Sequence, residues 1–149
     1  MNEEFRFESR IPVRFSDTDV NGHVNNQNYN SYCDEAKMKA FVTSGVDLEK
    51  MKQEGIGPIV YKAEYEYLGD LKYPDTVIVK TKVEFIKKTR AIFHQELYRE
   101  SDEKLVSRVR SYGMWINFET KKPAFLPAQI LEQMGEFIRP LSKKETVSV

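Results

Sequence analysis

Hydrophobic and polar residues alternate along several segments of the chain, and this period of two is typical of strands with one buried face. The first segment spans residues 5–16, where Ile11, Val13 and Phe15 alternate with polar neighbours or proline. Four later segments also have strand character, and they span residues 59–68, 76–86, 90–100 and 104–118. Short turn-forming segments connect these four, which predicts an antiparallel sheet.

Apolar residues recur at helical spacing in residues 27–43, and Gly45 is a suitable residue for the helix end. The apolar face of this long helix consists of Tyr29, Tyr32, Cys33, Ala36 and Ala40. A second, short helix is predicted at 48–54, capped by Asp47, and Pro127 suits the first turn of a final helix. The apolar face of that final helix is formed by Ile130, Leu131, Met134 and Phe137. The prediction is an α+β protein with a five-stranded antiparallel sheet wrapped around one long central helix.

Polar and ionisable residues are concentrated in the segment between the first strand and the long helix. Residues 17–26 contain two carboxylates, one histidine and three asparagines, and Gly22 permits a turn among them. The start of the helix leaves backbone N–H groups without partners, beside the positive end of the helix dipole. The amides of Asn25 and Asn26 are therefore predicted to polarise a carbonyl oxygen that becomes negative during reaction. Asp19 lies just upstream, where a carboxylate is suited to act as a base or a nucleophile.

The pattern of residues around this loop resembles a known family. It consists of Phe15-x-Asp17-Thr18-Asp19-x-x-Gly22-His23-Val24-Asn25-Asn26, followed on the helix by Tyr29, Tyr32 and Glu35-Ala36-Lys37. This pattern is similar to that of the 4-hydroxybenzoyl-CoA thioesterase family of hotdog-fold proteins, especially its acyl-CoA and acyl-carrier-protein thioesterases. Lys37 departs from it, because many relatives carry arginine there, and this change is interpreted as compatible with a surface position.

The resemblance implies a hotdog fold and hydrolysis of acyl-CoA or acyl-carrier-protein thioesters. It also implies a homodimer or homotetramer with the active site at the subunit interface. No cofactor is expected, since coenzyme A would enter as part of the substrate. Asp19 would be the general base or the nucleophile, and His23 and Asn21 would orient the nucleophile or the substrate.

Other polar residues are weaker candidates for the active site. Asp17 is interpreted as a turn residue, and Glu35 is either a second carboxylate of the site or a charged residue of the helix surface. Tyr29 and Tyr32 are predicted to line the core or the pocket. A cluster at a predicted hairpin is a candidate for binding the phosphates of coenzyme A, and it consists of Lys87, Lys88 and Arg90.

Some reactive residue types are assigned no function. Cys33 lies on the apolar face of the long helix and is interpreted as a buried structural thiol. His94 is predicted on a strand, far in sequence from the polar loop. The acidic, histidine and cysteine residues have no recognised zinc spacing, so no metal is expected. A Gly-x-Ser-x-Gly elbow is absent from the sequence, which gives no support to a serine hydrolase mechanism.

The composition of the chain narrows the classes of protein to which it can belong. The chain has 149 residues with 23 basic and 23 acidic side chains, a balance that argues against nucleic acid as a partner. One cysteine, no long apolar run and no apolar signal core predict a cytoplasmic protein without a membrane segment. Residues 1–141 are predicted to form a single domain, and residues 142–149 a frayed polar tail.

Two alternatives to a thioesterase stay open. A hotdog dehydratase acting on hydroxyacyl thioesters would use a histidine and an acid, but its His-Phe-Pro-Gly type of signature is missing here. A non-catalytic module would bind acyl thioesters without turnover. The length of the acyl chain and the choice between coenzyme A and carrier protein depend on pocket depth, which the sequence does not give.

Overall fold

The structure, a computed structural model, describes residue 5 and residues 7–137. The strands are β1 (Phe7–Pro12), β2 (Ile56–Tyr67), β3 (Thr76–Lys87), β4 (Arg90–Arg99), β5 (Leu105–Asn117) and β6 (Gly135–Phe137). The helices are α1 (Asn26–Thr43), α2 (Leu48–Gln53) and α3 (Ala128–Gln133), and a single 3₁₀ turn lies at Phe15–Asp17. The predicted tail lies outside the described residues.

Five strands form an antiparallel sheet in the order β1-β3-β4-β5-β2. Helix α1 packs on one face of this sheet, where Gln95 of β4 donates a 3.0 Å hydrogen bond to the carbonyl of Cys33. Buried residues of α1 and the strands form two continuous clusters. This arrangement confirms the predicted hotdog fold, with a sheet around one long helix.

The end of the chain differs from the prediction. The final helix stops at Gln133, and Gly135–Phe137 forms a sixth strand instead of a further helical turn. β6 pairs in parallel with residues 83–85 of β3, while β1 pairs with residues 76–81 of the same strand. Because β4 occupies the other side of β3, β6 extends the edge where β1 stops. The assignment of Phe137 to a helix face was therefore wrong.

The first two strands also have different bounds. β1 ends at Pro12, and the chain then bends into the Phe15–Asp17 turn, which leaves the Phe15 side chain 70% exposed. β2 begins at Ile56 and continues through Gly57 and Pro58, which the sequence interpretation assigned to a turn. The proline is tolerated because, among the described strands, β2 lies at the edge of the sheet and pairs only with β5.

Two residues of α1 show how the helix meets the sheet. Cys33 is 1% exposed, and burial raises the pKa of its thiol to about 12, which confirms a structural thiol. Lys37 is 6% exposed, with its Nζ 3.4 Å from Ser111 Oγ and 5.5 Å from the centre of the Phe93 ring. The surface position inferred for Lys37 was therefore wrong.

Within the described residues, no helix combines the length and the apolar character that a membrane span needs. The cytoplasmic location stays a prediction.

Candidate active site

Asp17 anchors the polar loop. The residue is 2% exposed, and its carboxylate accepts hydrogen bonds from the Arg14 amide (3.0 Å), the Arg14 guanidinium (3.0 Å) and the Tyr32 hydroxyl (2.8 Å). Its backbone carbonyl accepts from the Asn25 amide at 3.0 Å and from Asn28 Nδ2 at 2.7 Å. One residue therefore ties together the end of the first strand segment and the start of α1, and its role is structural.

The protonation of this anchor follows from its contacts. Burial alone raises the pKa of Asp17, but hydrogen bonds from the Arg14 amide, Tyr32 and the Arg14 guanidinium together lower it below its ordinary value. Burial and the bond to Asp17 raise the pKa of Tyr32. Asp17 is thus a carboxylate and Tyr32 a neutral donor at neutral pH.

Asp19 lies at the exposed end of the same loop. Its Oδ1 accepts from the amides of Asn21 (2.8 Å) and His23 (3.3 Å), and its own amide donates to the His23 carbonyl at 2.8 Å. Gly22, with φ +77°, makes this tight loop possible. Among the described residues, Asp19 Oδ2 has no hydrogen-bond donor. The loop therefore fixes one carboxylate oxygen and leaves the other accessible.

The start of α1 lies beside Asp19. A depression of about 330 Å³ is lined by Asp19, Val24, Asn25, Asn26 and Gln27. The Asn25 amide donates to Asp17, so the prediction that it polarises a substrate carbonyl is corrected. The amides of Asn26 and Gln27 have no acceptor among the described residues, and they begin a helix of 18 residues. The Asn25 side chain makes no capping bond.

His23 and Asn21 belong to the same loop but differ in their contacts. Asn21 is exposed and contributes its amide to Asp19. The imidazole of His23 lies beside Asp70 of the β2–β3 connection, with Nε2 3.5 Å from Asp70 Oδ2. Asp70 was not selected from the sequence, because only the folded chain brings the two loops together.

Glu35 is not among the residues that line the Asp19 depression. It lines a separate open groove between α1 and β1, where its carboxylate lies 3.9 Å from Lys39 Nζ. Its side chain is 57% exposed. The structure therefore does not place it together with Asp19, and of the two interpretations the charged helix surface is the one that its position supports.

Tyr29 and Tyr32 are both buried. The Tyr29 ring packs against Tyr67 of β2 with centroids 5.3 Å apart, and Tyr32 is bonded to Asp17. Both side chains support the core beneath the loop, as one of the two sequence interpretations has it.

The basic hairpin lies between β3 and β4. Lys88 is exposed, while Thr89 at the turn is buried. The Arg90 guanidinium lies 5.6 Å from the centre of the Tyr61 ring, and its Nε is buried without a hydrogen bond among the described residues. None of these residues lines the Asp19 depression.

Two further observations concern residues outside the loop. His94 Nε2 lies 3.1 Å from Glu84 Oε1 on the face of the sheet opposite α1. Within the described part of the chain, no group of three His, Cys, Asp or Glu side chains could hold a metal ion.

The fold and the polar loop lie within a segment that matches one protein family. The model of the thioesterase-like superfamily matches residues 13–134, and the chain belongs to this superfamily. A chloroplastic acyl-acyl carrier protein thioesterase of Arabidopsis thaliana is 20% identical over 132 residues, which cover 89% of this chain and 69% of that protein.

Solved structures show the same fold. A DHNA-CoA thioesterase from Staphylococcus aureus is 26% identical with a TM-score of 0.75, and the match covers 80% of each chain. A 1,4-dihydroxy-2-naphthoyl-CoA thioesterase from Synechocystis is 19% identical with a TM-score of 0.78, and the match covers 83% of this chain and 90% of that one.

Proposed function

We propose that this protein hydrolyses an acyl thioester of coenzyme A or acyl carrier protein to a free acid and a thiol. The observation that carries the proposal is the shared depression of Asp19 and the first residues of α1. A carboxylate and unbonded helix amides at one point combine a base or nucleophile with donors for a developing oxyanion. The names of the relatives support the thioester as the reacting group.

In this proposal the thioester carbonyl oxygen accepts hydrogen bonds from the amides of Asn26 and Gln27. The positive end of the α1 dipole favours the negative charge that forms on this oxygen. Both amides are fixed before substrate arrives, because Asp17 holds the residue that precedes them. The donors therefore need no reorganisation during the reaction.

Asp19 can act by either of two mechanisms. As a general base, Oδ2 takes a proton from water while the water oxygen bonds to the carbonyl carbon. The C–S bond then breaks, and the proton passes from Asp19 to the departing sulfur, which leaves as the thiol. As a nucleophile, Oδ2 bonds to the carbonyl carbon, displaces the thiolate, and leaves a mixed anhydride that water hydrolyses. Either route uses the accessible oxygen, while Oδ1 stays bonded to Asn21 and His23.

Two parts of the proposal concern partners. A homodimer or homotetramer would bring a second subunit to the exposed edge of β2, where Val60 and Tyr67 are about half exposed.

The phosphates of coenzyme A would bind Lys87, Lys88 and Arg90, where Arg90 is already oriented by Tyr61.

A thiol-release assay with a series of acyl-CoA and acyl-carrier-protein substrates tests the activity. We expect hydrolysis by the wild type and a loss of about 100-fold or more in Asp19→Asn. Asp47→Asn is the matched control, since Asp47 is an exposed carboxylate that caps α2 and asparagine caps equally well. Retained turnover in Asp19→Asn would contradict the assignment.

A binding measurement beside the thiol-release assay distinguishes the hydrolase from the second candidate, a module that binds acyl thioesters without turnover. The hydrogen bonds that Asp19 Oδ1 accepts within its own loop favour that candidate, because they give the residue a structural use. Calorimetric binding of acyl-CoA without thiol release would support it and reject the hydrolase.

A further inference from the structure

Asp70 is held by a charged network outside the polar loop. Its Oδ1 accepts a hydrogen bond of 2.9 Å from Arg99 Nη1, and its backbone carbonyl accepts from the same nitrogen at 3.0 Å. Arg99, at the end of β4, also donates through Nε and Nη2 to the two oxygens of Asp102, at 3.1 and 2.8 Å. This forked contact fixes the direction of the guanidinium. The position of the Asp70 carboxylate is therefore set by the sheet.

The other oxygen of Asp70 lies beside His23. Oδ2 is 3.5 Å from His23 Nε2, which is longer than the range of about 2.7–3.2 Å for an N–H···O hydrogen bond. Contacts between catalytic groups are often long in unliganded sites and shorten when substrate binds. Backbone pairing holds the two loops together, since the Val24 amide donates to the Leu71 carbonyl at 2.8 Å and Leu71 is fully buried.

Lys72 is the competing partner of this oxygen. Its Nζ lies 3.8 Å from Asp70 Oδ2, and its side chain is 65% exposed. An exposed lysine at this distance contributes little energy and has many alternative rotamers. The His23 side chain is 45% exposed and has fewer rotatable bonds than lysine, and its backbone is bonded to Asp19 at both its amide and its carbonyl. His23 is therefore the more constrained of the two partners.

We propose that Asp70 is a positioning residue that holds the His23 imidazole with its proton on Nε2. This inference rests on the proposed function for the use that the enzyme makes of His23. A neutral imidazole carries one proton, so an Nε2–H group that donates to Asp70 leaves Nδ1 as the acceptor. Nδ1 is then the nitrogen that accepts a hydrogen bond from the attacking water or the substrate.

The substitution Asp70→Asn tests this orientation without changing the size of the side chain. Arg99 can only donate, so it retains the amide oxygen and turns the NH₂ group toward His23. The NH₂ group needs an acceptor, and the imidazole proton therefore moves to Nδ1. The corresponding substitution in a serine protease triad leaves its histidine in the wrong tautomer.

Nitrogen NMR of the imidazole measures the tautomer without any substrate. The chain has two histidines, so a His94→Gln background leaves His23 alone in the spectrum. At a pH where imidazole is neutral, we expect the Nε2–H form to dominate in this background and the Nδ1–H form after Asp70→Asn. Asp47→Asn is the matched control, since Asp47 is an exposed carboxylate that caps α2 through the Lys50 amide and has no part in the Arg99–Asp70 network. An unchanged tautomer in Asp70→Asn overturns the proposal.

Kinetics give the second test. We expect Asp70→Asn to lower kcat about 10-fold or more while KM changes less than about twofold, and Asp70→Glu to restore part of the rate. In a His23→Gln background, Asp70→Asn should cause no further loss, because a positioning residue acts only through its partner. Additive losses would overturn the proposal. A wild type that hydrolyses no thioester rejects the proposed function, and the NMR result still decides the Asp70–His23 relationship.

Discussion

The hydroxyl of Tyr32 donates a 2.8 Å hydrogen bond to Asp17 Oδ2, and this contact joins the second turn of the central helix to the loop that precedes it. Both groups are buried, and the acceptor carries a charge. We expect Tyr32→Phe to lower the free energy of unfolding by about 1.5–3 kcal/mol, the range for hydrogen bonds to charged groups. Urea unfolding measures the change. Tyr73→Phe is the matched control, because Tyr73 is half exposed.

The same carboxylate makes stability depend on pH. Its hydrogen bonds lower the pKa of Asp17 in the folded chain, whereas the unfolded chain keeps the ordinary value of about 3.9. The resulting stabilisation is complete above the unfolded value and is lost as the pH falls through the lowered folded value. Urea unfolding of wild type and Asp17→Asn should therefore differ most above about pH 5 and progressively less below about pH 4. A difference that stays constant down to the acid limit would contradict this.

A backbone substitution can test the proposed amide donors. Proline is tolerated at the first helical position, and it removes the N–H group there. Asn26 holds that position, and Asn25 before it has φ −61° and ψ 143°, which a following proline permits. We expect Asn26→Pro to lower kcat about 10-fold or more with little loss of stability, and Asn26→Ala, which keeps the amide, to retain activity. Equal rates in the two variants would reject this donor.

The single thiol offers a probe of burial. Because burial raises the pKa of Cys33 to about 12, it is protonated and shielded in the folded chain at pH 8. Alkylation should be at least about 100-fold slower in buffer than in denaturant. Cys33→Ala should retain thioester hydrolysis, since the thiol is inert. Rapid labelling of the folded protein would contradict this.

Strand segments were predictable where alternation agreed with burial. β3, β4 and β5 were predicted to within a residue or two of their bounds. β1 was extended too far because alternation continues through Phe15, although the bonds between Arg14 and Asp17 bend the chain there. β6 has three residues and depends on the free edge of β3, which no local pattern reveals.

The polar loop was recognisable because its residues are adjacent in sequence. The sequence did not reveal which amides remain available, since the bond from Asn25 to the Asp17 carbonyl appears only when the loop closes. The partner of His23 lies on another connection. Lys37 pairs with Asp34 of its own helix, but it was misplaced because the ring and the hydroxyl that cover its amine come from β4 and β5.

The sixth strand has a consequence for the order in which the protein is made. Residues 83–85 of β3 have β6 as their neighbour on that side, and β6 comes last among the described elements. During synthesis this short stretch of edge stays uncovered until residue 137 has left the ribosome. An uncovered edge can pair with other chains. Translation that stops before residue 135 should therefore yield a product that associates more readily than the 149-residue chain.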